Sequence, residues 1–371
     1  MKKFYRRMVY FIVIILFFTV LGYCVTSQEV FGAAPSGKRL ERMQLLENYK
    51  DNQFQNQSFT PQLSEGHYMP KLMFNYLFGK KDPLLKPLSP VPTVYTNLKN
   101  LPKDQDIYVW LGHSSYFMIV DGVSFLIDPV LSSYGSPFKF FNKSFEGADI
   151  YKPEDIPEID YLVITHDHYD HLDYPTVKAI RQKVKQVVLP LGVGAHLEKW
   201  GYAETQLLED NWGTSFNLMN NIKITFTPAR HFSGRKFSKN NTLWTSYVLE
   251  TSSKKIFLGG DSGYDSHFKT IGEKYGPFDL AILENGQYNE AWKYIHAMPE
   301  DMVKISNDLQ TANIIPVHSG KFALALHPWN EPLKKITESG KLHNLNVFTP
   351  KIGEVLYLNH SEKKYPSWWE N

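Results

Sequence analysis

The stretch Tyr161 to Asp173, YLVITHDHYDHLD, limits what this chain can become more than any other part of it. Tyr161 to Thr165 is a short apolar, β-branched run of the kind that forms a buried strand, and His166, His168, Asp170 and His171 follow at once. In extended chain, positions i and i+2 project to the same side, so His166 and His168 can grip one ion. Asp173 as N-cap and Pro175 in a first turn predict a helix running to about Val184, which leaves Asp170 and His171 in the turn, aimed at a second ion. Imidazole with carboxylate and no thiolate is a ligand set for zinc, or for iron or manganese in a mixed site. The bland reading, a solvated polar loop, does not explain why so many ligand-type side chains crowd directly behind an apolar strand.

A metal site needs ligands from distant parts of the chain, and its 371 residues hold ample sequence for a real core. Charge is nearly balanced at +2, and no long basic stripe lies outside the first residues, which excludes an ordinary nucleic-acid binder. Lys2, Lys3, Arg6 and Arg7 precede an almost wholly apolar run from Met8 to Val25. That pattern predicts a membrane anchor with its basic flank in the cytoplasm and everything after it outside. The competing reading is a signal peptide cut before Ala33, which would leave a secreted protein. Cys24, the only cysteine, lies inside the apolar run, so the exported part forms no disulfide; Tyr23 before it argues against a lipoprotein box.

Residues 1–26 are thus expected to be an anchor or signal segment, and 27–105, polar and broken by prolines, a linker and packing arm with one helix over Lys38 to Tyr49. The core is expected over 106–358 and a tail over 359–371. Predicted strands are Ile107–Leu111, Tyr116–Val120, Val123–Ile127, Tyr161–Thr165, Val187–Leu189, Ile222–Thr227, Trp244–Glu250, Lys255–Leu258, Leu280–Leu283, Asn313–Val317 and Asn346–Phe348. Helices are expected near Ala195–Trp200, Ser266–Lys274 and Pro299–Gln310. Strands in two runs, each followed by helices, predict an α/β fold of two sheets packed face to face with helices outside. The loop Phe138 to Phe145, FKFFNKSF, alternates aromatics with Lys139 and Lys143, as an interfacial contact or an ordinary packed loop would.

His231, Asp261 and His318 each stand just past a predicted strand, in TPARHFSGR, FLGGDSGYD and IIPVHSG. Strand ends of packed sheets converge on one edge, so three candidates at matching places strengthen the metal reading. With THDHYDHLD they resemble the metallo-β-lactamase superfamily, whose fold is an αββα sandwich with a dinuclear site at one edge. WLGHSS, FLIDPVLSSYGSP, GDSGY, GPFDLA, IHAMPEDMVKISNDLQ and VHSGKFALALHPWNEP resemble, within it, the N-acylphosphatidylethanolamine-hydrolysing phospholipase D family, from about Trp110 to Pro332.

The resemblance implies two zinc ions, one on His166, His168 and His231 and the other on Asp170, His171 and His318, with Asp261 bridging. It places His296 near the substrate, where the residues alone leave a core or supporting histidine equally open, and it makes His113 a structural residue of the site's floor. The catalytic groups it implies are Asp170, Asp261 and His296, acting with a hydroxide that bridges the metals to hydrolyse a phosphodiester. The sequence departs from the animal pattern at LENGQYNEAW, where Glu284, Asn285 and Gln287 make the wall more polar and leave the head group open. Expected partners are a phospholipid and the membrane surface, with no nucleic acid and a homodimer left open. The alternatives are a metal-dependent lactonase or other ester hydrolase, and a non-catalytic, membrane-tethered metal-binding or lipid-binding protein.

Overall fold

The computed structural model describes residues 2–236, 238–359 and 365–370; of the expected tail, 360–364 and 371 lie outside the described residues, as does Met1 of the basic flank. Two seven-stranded sheets form the body. The strands are β1 (Tyr49–Lys50), β2 (Gln53–Phe54), β3 (Ile107–Gly112), β4 (Ser115–Val120), β5 (Val123–Ile127), β6 (Ile159–Val163), β7 (Val184–Pro190) and β8 (Leu207–Asp210), then β9 (Ser215–Asn217), β10 (Lys223–Thr227), β11 (Ser246–Glu250), β12 (Lys255–Leu258), β13 (Leu280–Glu284), β14 (Asn313–Val317), β15 (Asn346–Val347) and β16 (Val355–Tyr357). The first large sheet has the order β16-β3-β4-β5-β6-β7-β8 and the second β15-β14-β13-β12-β11-β10-β9. In each, an antiparallel half passes into a parallel half, at β5–β6 in the first and at β12–β13 in the second. The helices are α1 (Lys2–Thr26), α2 (Gly37–Gln44), α3 (Met69–Phe78), α4 (Tyr174–Ile180), α5 (Gly194–Lys199), α6 (His267–Tyr275), α7 (Met302–Asp308) and α8 (Glu331–His343).

The central strands read as continuous apolar runs because both of their faces are covered. Along β4, Tyr116, Met118 and Val120 point between the sheets, while Phe117 and Ile119 join the outer cluster that holds Val177 and Leu197 of α4 and α5. On the second sheet Ile256 and Leu258 point inward, and Phe257 packs outward with residues of α6 and α7. The expected αββα sandwich is therefore the observed one.

Local differences have identifiable causes. The helix expected over Lys38 to Tyr49 stops at Gln44, because Asp51 and Asn52, both with positive φ, turn Tyr49–Phe54 into a tight hairpin. The strand expected from Trp244 starts at Ser246: the Trp244 indole donates to the Ala229 carbonyl (2.9 Å) and Thr245 N crosses to Thr165 O in the other sheet (3.0 Å). The helix expected to reach Val184 gives way to a 3-10 turn after Ile180, and the one expected from Pro299 becomes α-helical only at Met302. Asp173 sits at the N-cap of α4, but its carboxylate binds Ser132 and the Thr176 hydroxyl instead of the helix N–H groups. Four short edge strands (β8, β9, β15 as a two-residue piece, β16), α3 and α8 complete the fold; of these only β15 was expected.

Between residues 27 and 105 the chain lies on this body, with Met43, Tyr49 and Phe54 packed against Leu191, Leu243 and Trp244. Beyond residue 359, Trp368 and Trp369 are buried in the core between the sheets, and the Trp368 indole donates to Thr349 O (2.9 Å). Replacing Trp368 by Ala should cost about 3–5 kcal/mol in urea unfolding, through the cavity it leaves. Leu342→Ala, at a position 79% exposed, should stay within about 0.5 kcal/mol.

Candidate metal centre

Every candidate ligand leaves the end of a strand on the same edge of the sandwich. His166 to His171 follow β6, and His231, Asp261 and His318 follow β10, β12 and β14. The edge is stitched across the sheets: His318 N donates to His113 O (3.0 Å), and the Tyr247 hydroxyl of β11 donates to Ile164 O (2.6 Å). Gly260 shows why FLGGDSGYD carries its glycines. Its φ is +60°, and a Cβ there would lie 3.0 Å from both Thr165 Cβ and Thr245 O, so only glycine lets Asp261 reach the edge.

His166, His168, Asp170, His171, His231, Asp261 and His318 all come together. His166 Nε2 is 2.8 Å from His168 Nδ1, which is 3.2 Å from His231 Nε2. Asp261 Oδ2 lies between the groups, 3.2 Å from His171 Nε2, 3.7 Å from His231 Nε2 and 3.9 Å from His166 Nε2. Asp170 Oδ2 is 3.6 Å from His318 Nε2 and 3.7 Å from His171 Nε2, and His318 Nδ1 is 2.8 Å from Asp261 Oδ1. The groups His166–His168–His231 and Asp170–His171–His318 with His113 are each compact enough to hold one ion.

The hydrogen bonds around the rings indicate which nitrogen faces inward. His231 Nδ1–H donates to the Ile295 carbonyl (2.7 Å) and His171 Nδ1–H to Asp128 Oδ2 (2.8 Å). The Thr165 hydroxyl donates to Asp128 Oδ2 (2.6 Å), so it must accept from His166 Nδ1–H (3.0 Å). His166 and His231 Nε2 thus carry their lone pairs into the cluster. His171 Nε2, fully buried, faces Asp261 Oδ2 (3.2 Å), and, against burial, Asp261 and then Asp170 hold the proton affinity of His171 well above the ordinary histidine value. Lone pairs this close repel unless a cation sits among them, and ligands of a tetrahedral ion with bonds of about 2.0–2.1 Å lie about 3.3 Å apart. The donor set fits a metal.

Charge points the same way. Burial works to raise the Asp170 and Asp261 carboxyls, but the surrounding histidines hold both well below the usual carboxylate range. Burial pushes His166 and His231 well down, so they stay neutral, as ligands must. His113, pushed down to about 3 mainly by burial, donates Nε2–H to Asp170 Oδ2 (2.9 Å) and so orients that carboxylate. His296 enters from the segment after β13; its Nδ1 is 2.7 Å from Glu284 Oε2 and 4.0 Å from Asp261 Oδ2. Glu284 is itself fixed by Ser262 N and Ala297 N.

Three supporting residues escaped sequence reasoning. Asp128, just past β5, is buried and orients His171. Asp167, the silent position between His166 and His168, points away and accepts from His196 Nε2–H (3.1 Å), the Thr242 hydroxyl (2.9 Å) and Gly234 N (2.7 Å). Buried Arg235 donates to Asp167 O and Leu172 O, both at 2.8 Å, and clamps the ligand loop. The one available signal was an aspartate behind each apolar run, which burial makes costly without partners.

A cleft of about 260 Å³ opens above the cluster, floored by Asp170, Asp261 and His296 and walled by Leu63, Met69, Phe232, Trp292, Ile295 and Leu324.

Comparison with known proteins places this geometry. The Beta-lactamase superfamily domain matches residues 124–319. An uncharacterized protein of Mycobacterium tuberculosis is 35% identical over 288 residues, 76% of this chain and 77% of that one. N-acyl-phosphatidylethanolamine-hydrolyzing phospholipase D 1 of Caenorhabditis elegans is 34% identical over 269 residues, 66% of this chain and 74% of that one. Among solved structures, a metallo hydrolase of the archaeon Ignicoccus hospitalis shares the fold with a TM-score of 0.51 at 23% identity, covering 68% of this chain and 97% of that one.

Asp128→Asn keeps the shape of the side chain but weakens its hold on His171. Chelator competition should show zinc affinity about 10–100-fold lower, with an unchanged circular dichroism spectrum; unchanged affinity would mean that Asp128 serves the fold alone.

Proposed function

Because the chain belongs to the metallo-β-lactamase superfamily and is a metal-dependent hydrolase of that fold, we propose that it hydrolyses a phosphodiester bond of a membrane phospholipid in the manner of a phospholipase D. N-acylphosphatidylethanolamine-like lipids are the substrate class. The observation that carries this reading is the cleft itself, a charged floor under a wall of six apolar side chains broken by Gln62 and Gln287, which matches a lipid that presents a phosphodiester to the floor and hydrocarbon to the apolar part of the wall. The phospholipase name borne by the nematode relative supports it.

His166, His168 and His231 would hold one divalent ion and Asp170, His171 and His318 a second, with Asp261 shared between them. Zinc suits the donors, with iron or manganese in one position as the alternative. Bound ions supply Lewis acidity, which brings the pKa of a water toward neutrality and offsets charge on phosphoryl oxygens. Asp170 and Asp261 balance part of the dication charge, and His113 keeps the Asp170 carboxylate in one orientation. His296 stands beside the cluster with its Nδ1 on Glu284, so its ring is held at a fixed angle to the cleft. Burial works to lower the proton affinity of His296, but Glu284 and then Asp261 raise it above the ordinary histidine value. With Nδ1 engaged by Glu284, Nε2 is the ring atom left to meet a phosphoryl oxygen or the departing alkoxide.

Helix α1 holds a candidate span of 24 residues from Lys3 to Thr26, apolar from Met8 on and long enough to cross a bilayer at 1.5 Å per residue. It would hold the hydrolase domain at the membrane and outside the cytoplasm, given the basic residues before it. Retention of the anchor is favoured over cleavage before Ala33, because the segment that cleavage would remove is part of the packed body. Phe31 is buried, Val30 O accepts from Arg235, Glu29 O from the Trp200 indole (2.8 Å) and Gly32 O from Lys199 (2.8 Å).

Full-length protein in vesicles should cleave N-acylphosphatidylethanolamine to phosphatidic acid and an N-acylethanolamine. His168→Ala and Asp261→Asn should each lower turnover at least about 100-fold, and His296→Ala should lower kcat while metal content stays unchanged. Lactone turnover without phosphodiester cleavage would replace the reading with the lactonase one. Metal bound without turnover on either would leave a binding protein. Activity should fall only as pH drops below the ordinary histidine range of about 6 to 7, because ligand imidazoles must be neutral to bind metal and burial holds His166 and His231 well below that range; loss of metal already at pH 7 would count against those two as ligands.

A further inference from the structure

Lys321 is the only buried lysine among the described residues, with 1% of its surface exposed. Taking an ammonium out of water is costly, and a position that needed only bulk would be better served by an apolar side chain of the same length. Burial pushes the group down to about 8, against the pull of Asp149. No step of the proposed hydrolysis uses it, so its contacts must say what the charge is for. Nζ donates to Val130 O (2.7 Å) and reaches Leu111 O (3.5 Å), and Asp149 Oδ1 lies 3.9 Å away. That carboxylate oxygen is buried and has no hydrogen-bond partner among the described residues, while Oδ2 is taken by Ser133 and Lys152. Gly112 makes room for the lysine stem: its φ is +91°, and a Cβ there would lie 2.9 Å from Lys321 Cδ. The main chain joins in, with Phe145 N donating to Lys321 O (2.8 Å). Lys321 thus ties together the end of β3, the chain after β5, the segment 145–149 and the chain after β14.

Three of these ties stand next to a residue that serves the centre. Leu111 lies two residues before His113, whose Nε2–H orients Asp170. Val130 lies two residues after Asp128, which orients His171. Lys321 itself follows the ligand His318 by three residues. Asp170, His171 and His318 are together the ligands of the second metal position. The first position, on His166, His168 and His231, is touched only at one remove. His166 leans on the Thr165 hydroxyl, which shares Asp128 Oδ2, and His231 is oriented by the Ile295 carbonyl from the other sheet's side of the cleft.

We propose that Lys321 is a positioning residue for the second metal position: its ammonium holds the chain ends after β3 and β5 together, so that His113 and Asp128 meet Asp170 and His171 in the orientation that binds an ion. The proposal rests on the two-ion reading of the centre and not on the identity of the substrate. An uncharged side chain of equal length would leave the Val130 and Leu111 carbonyls without this donor and the two strand ends free to shift. Ligands need to be held within about 0.5 Å of their productive places by the residues behind them, so a small shift there is felt at the ion.

The test separates the two positions in full-length protein held in detergent micelles. His168→Ala confines zinc to the second position and His318→Ala to the first, and chelator competition gives each affinity with and without Lys321→Met. Lys321→Met should weaken zinc at the second position at least about tenfold and at the first by less than about threefold, with the circular dichroism of the metal-free proteins unchanged. Equal losses at both positions, or no loss at either, would overturn the proposal. If Lys321→Met does not fold, Lys321→Gln is read in its place by the same criteria; if neither folds without metal, the lysine serves the fold as a whole and the proposal falls. Failure of the two-ion reading shows separately, as a single zinc equivalent in the protein that keeps His168, His318 and Lys321.

Discussion

Imidazole lone pairs and ionised carboxylates, aimed at one another within 4 Å at the edge of a sandwich, form an arrangement that a cation makes favourable. Without one, the buried Asp170 and Asp261 carboxylates have only proton-bearing histidines such as His171 to offset them, and burial of incompletely paired charge is among the most costly things a fold can do. Much of the surrounding structure exists to hold that arrangement. The rings are locked by acceptors facing away from the cluster: Asp128 for His171, the Ile295 carbonyl for His231 and Thr165 for His166. Each acceptor comes from a different element, so the geometry of the centre is set by the packing of the two sheets rather than by the ligand loop alone.

That packing explains why several edge residues adopt unusual backbone conformations. His113, Asp128 and His318 all have positive φ, uncommon for residues with side chains. Each ends a strand and must turn its side chain back over the edge instead of letting it continue along the strand. The conformations are held by cross-sheet hydrogen bonds such as His318 N to His113 O and His113 N to Ser319 O. Strain of this kind persists where surrounding contacts over-determine it, as they do at this edge.

What the sequence disclosed follows from how local each feature is. The ligand loop was legible because its ligands stand within a few residues of one another behind an apolar strand, and His231, Asp261 and His318 because each follows a strand that periodicity reveals. Asp128, Asp167 and Arg235 were not, since their partners lie far off in the chain; the Arg235–Leu172 contact spans 63 positions. The edge strands β8, β9 and β16 are too short to carry a pattern, and α8 was hidden although Pro332 in its first turn is a helix-start signal. Helix α3 lay unseen among prolines because no core face of its own marks it; its apolar residues face outward.

The contacts that tie the segment after α1 to the metal loop bear on how the N-terminal part and the sandwich are joined. Arg235 donates at once to Val30 O, on the segment leaving α1, and to Asp167 O and Leu172 O, which bracket the ligands. His196 accepts from Ala33 N through Nδ1 while donating through Nε2 to Asp167. A domain hung on a flexible linker would sample every orientation relative to α1. Here the chain leaving α1 is bound to the body within a few residues, beside the aromatic loop and one layer behind the ligands. The contacts that align His166, His168, Asp170 and His171 also fix the segment leaving α1 to the body, so the alignment of the centre and the attachment of that segment rest on the same few hydrogen bonds.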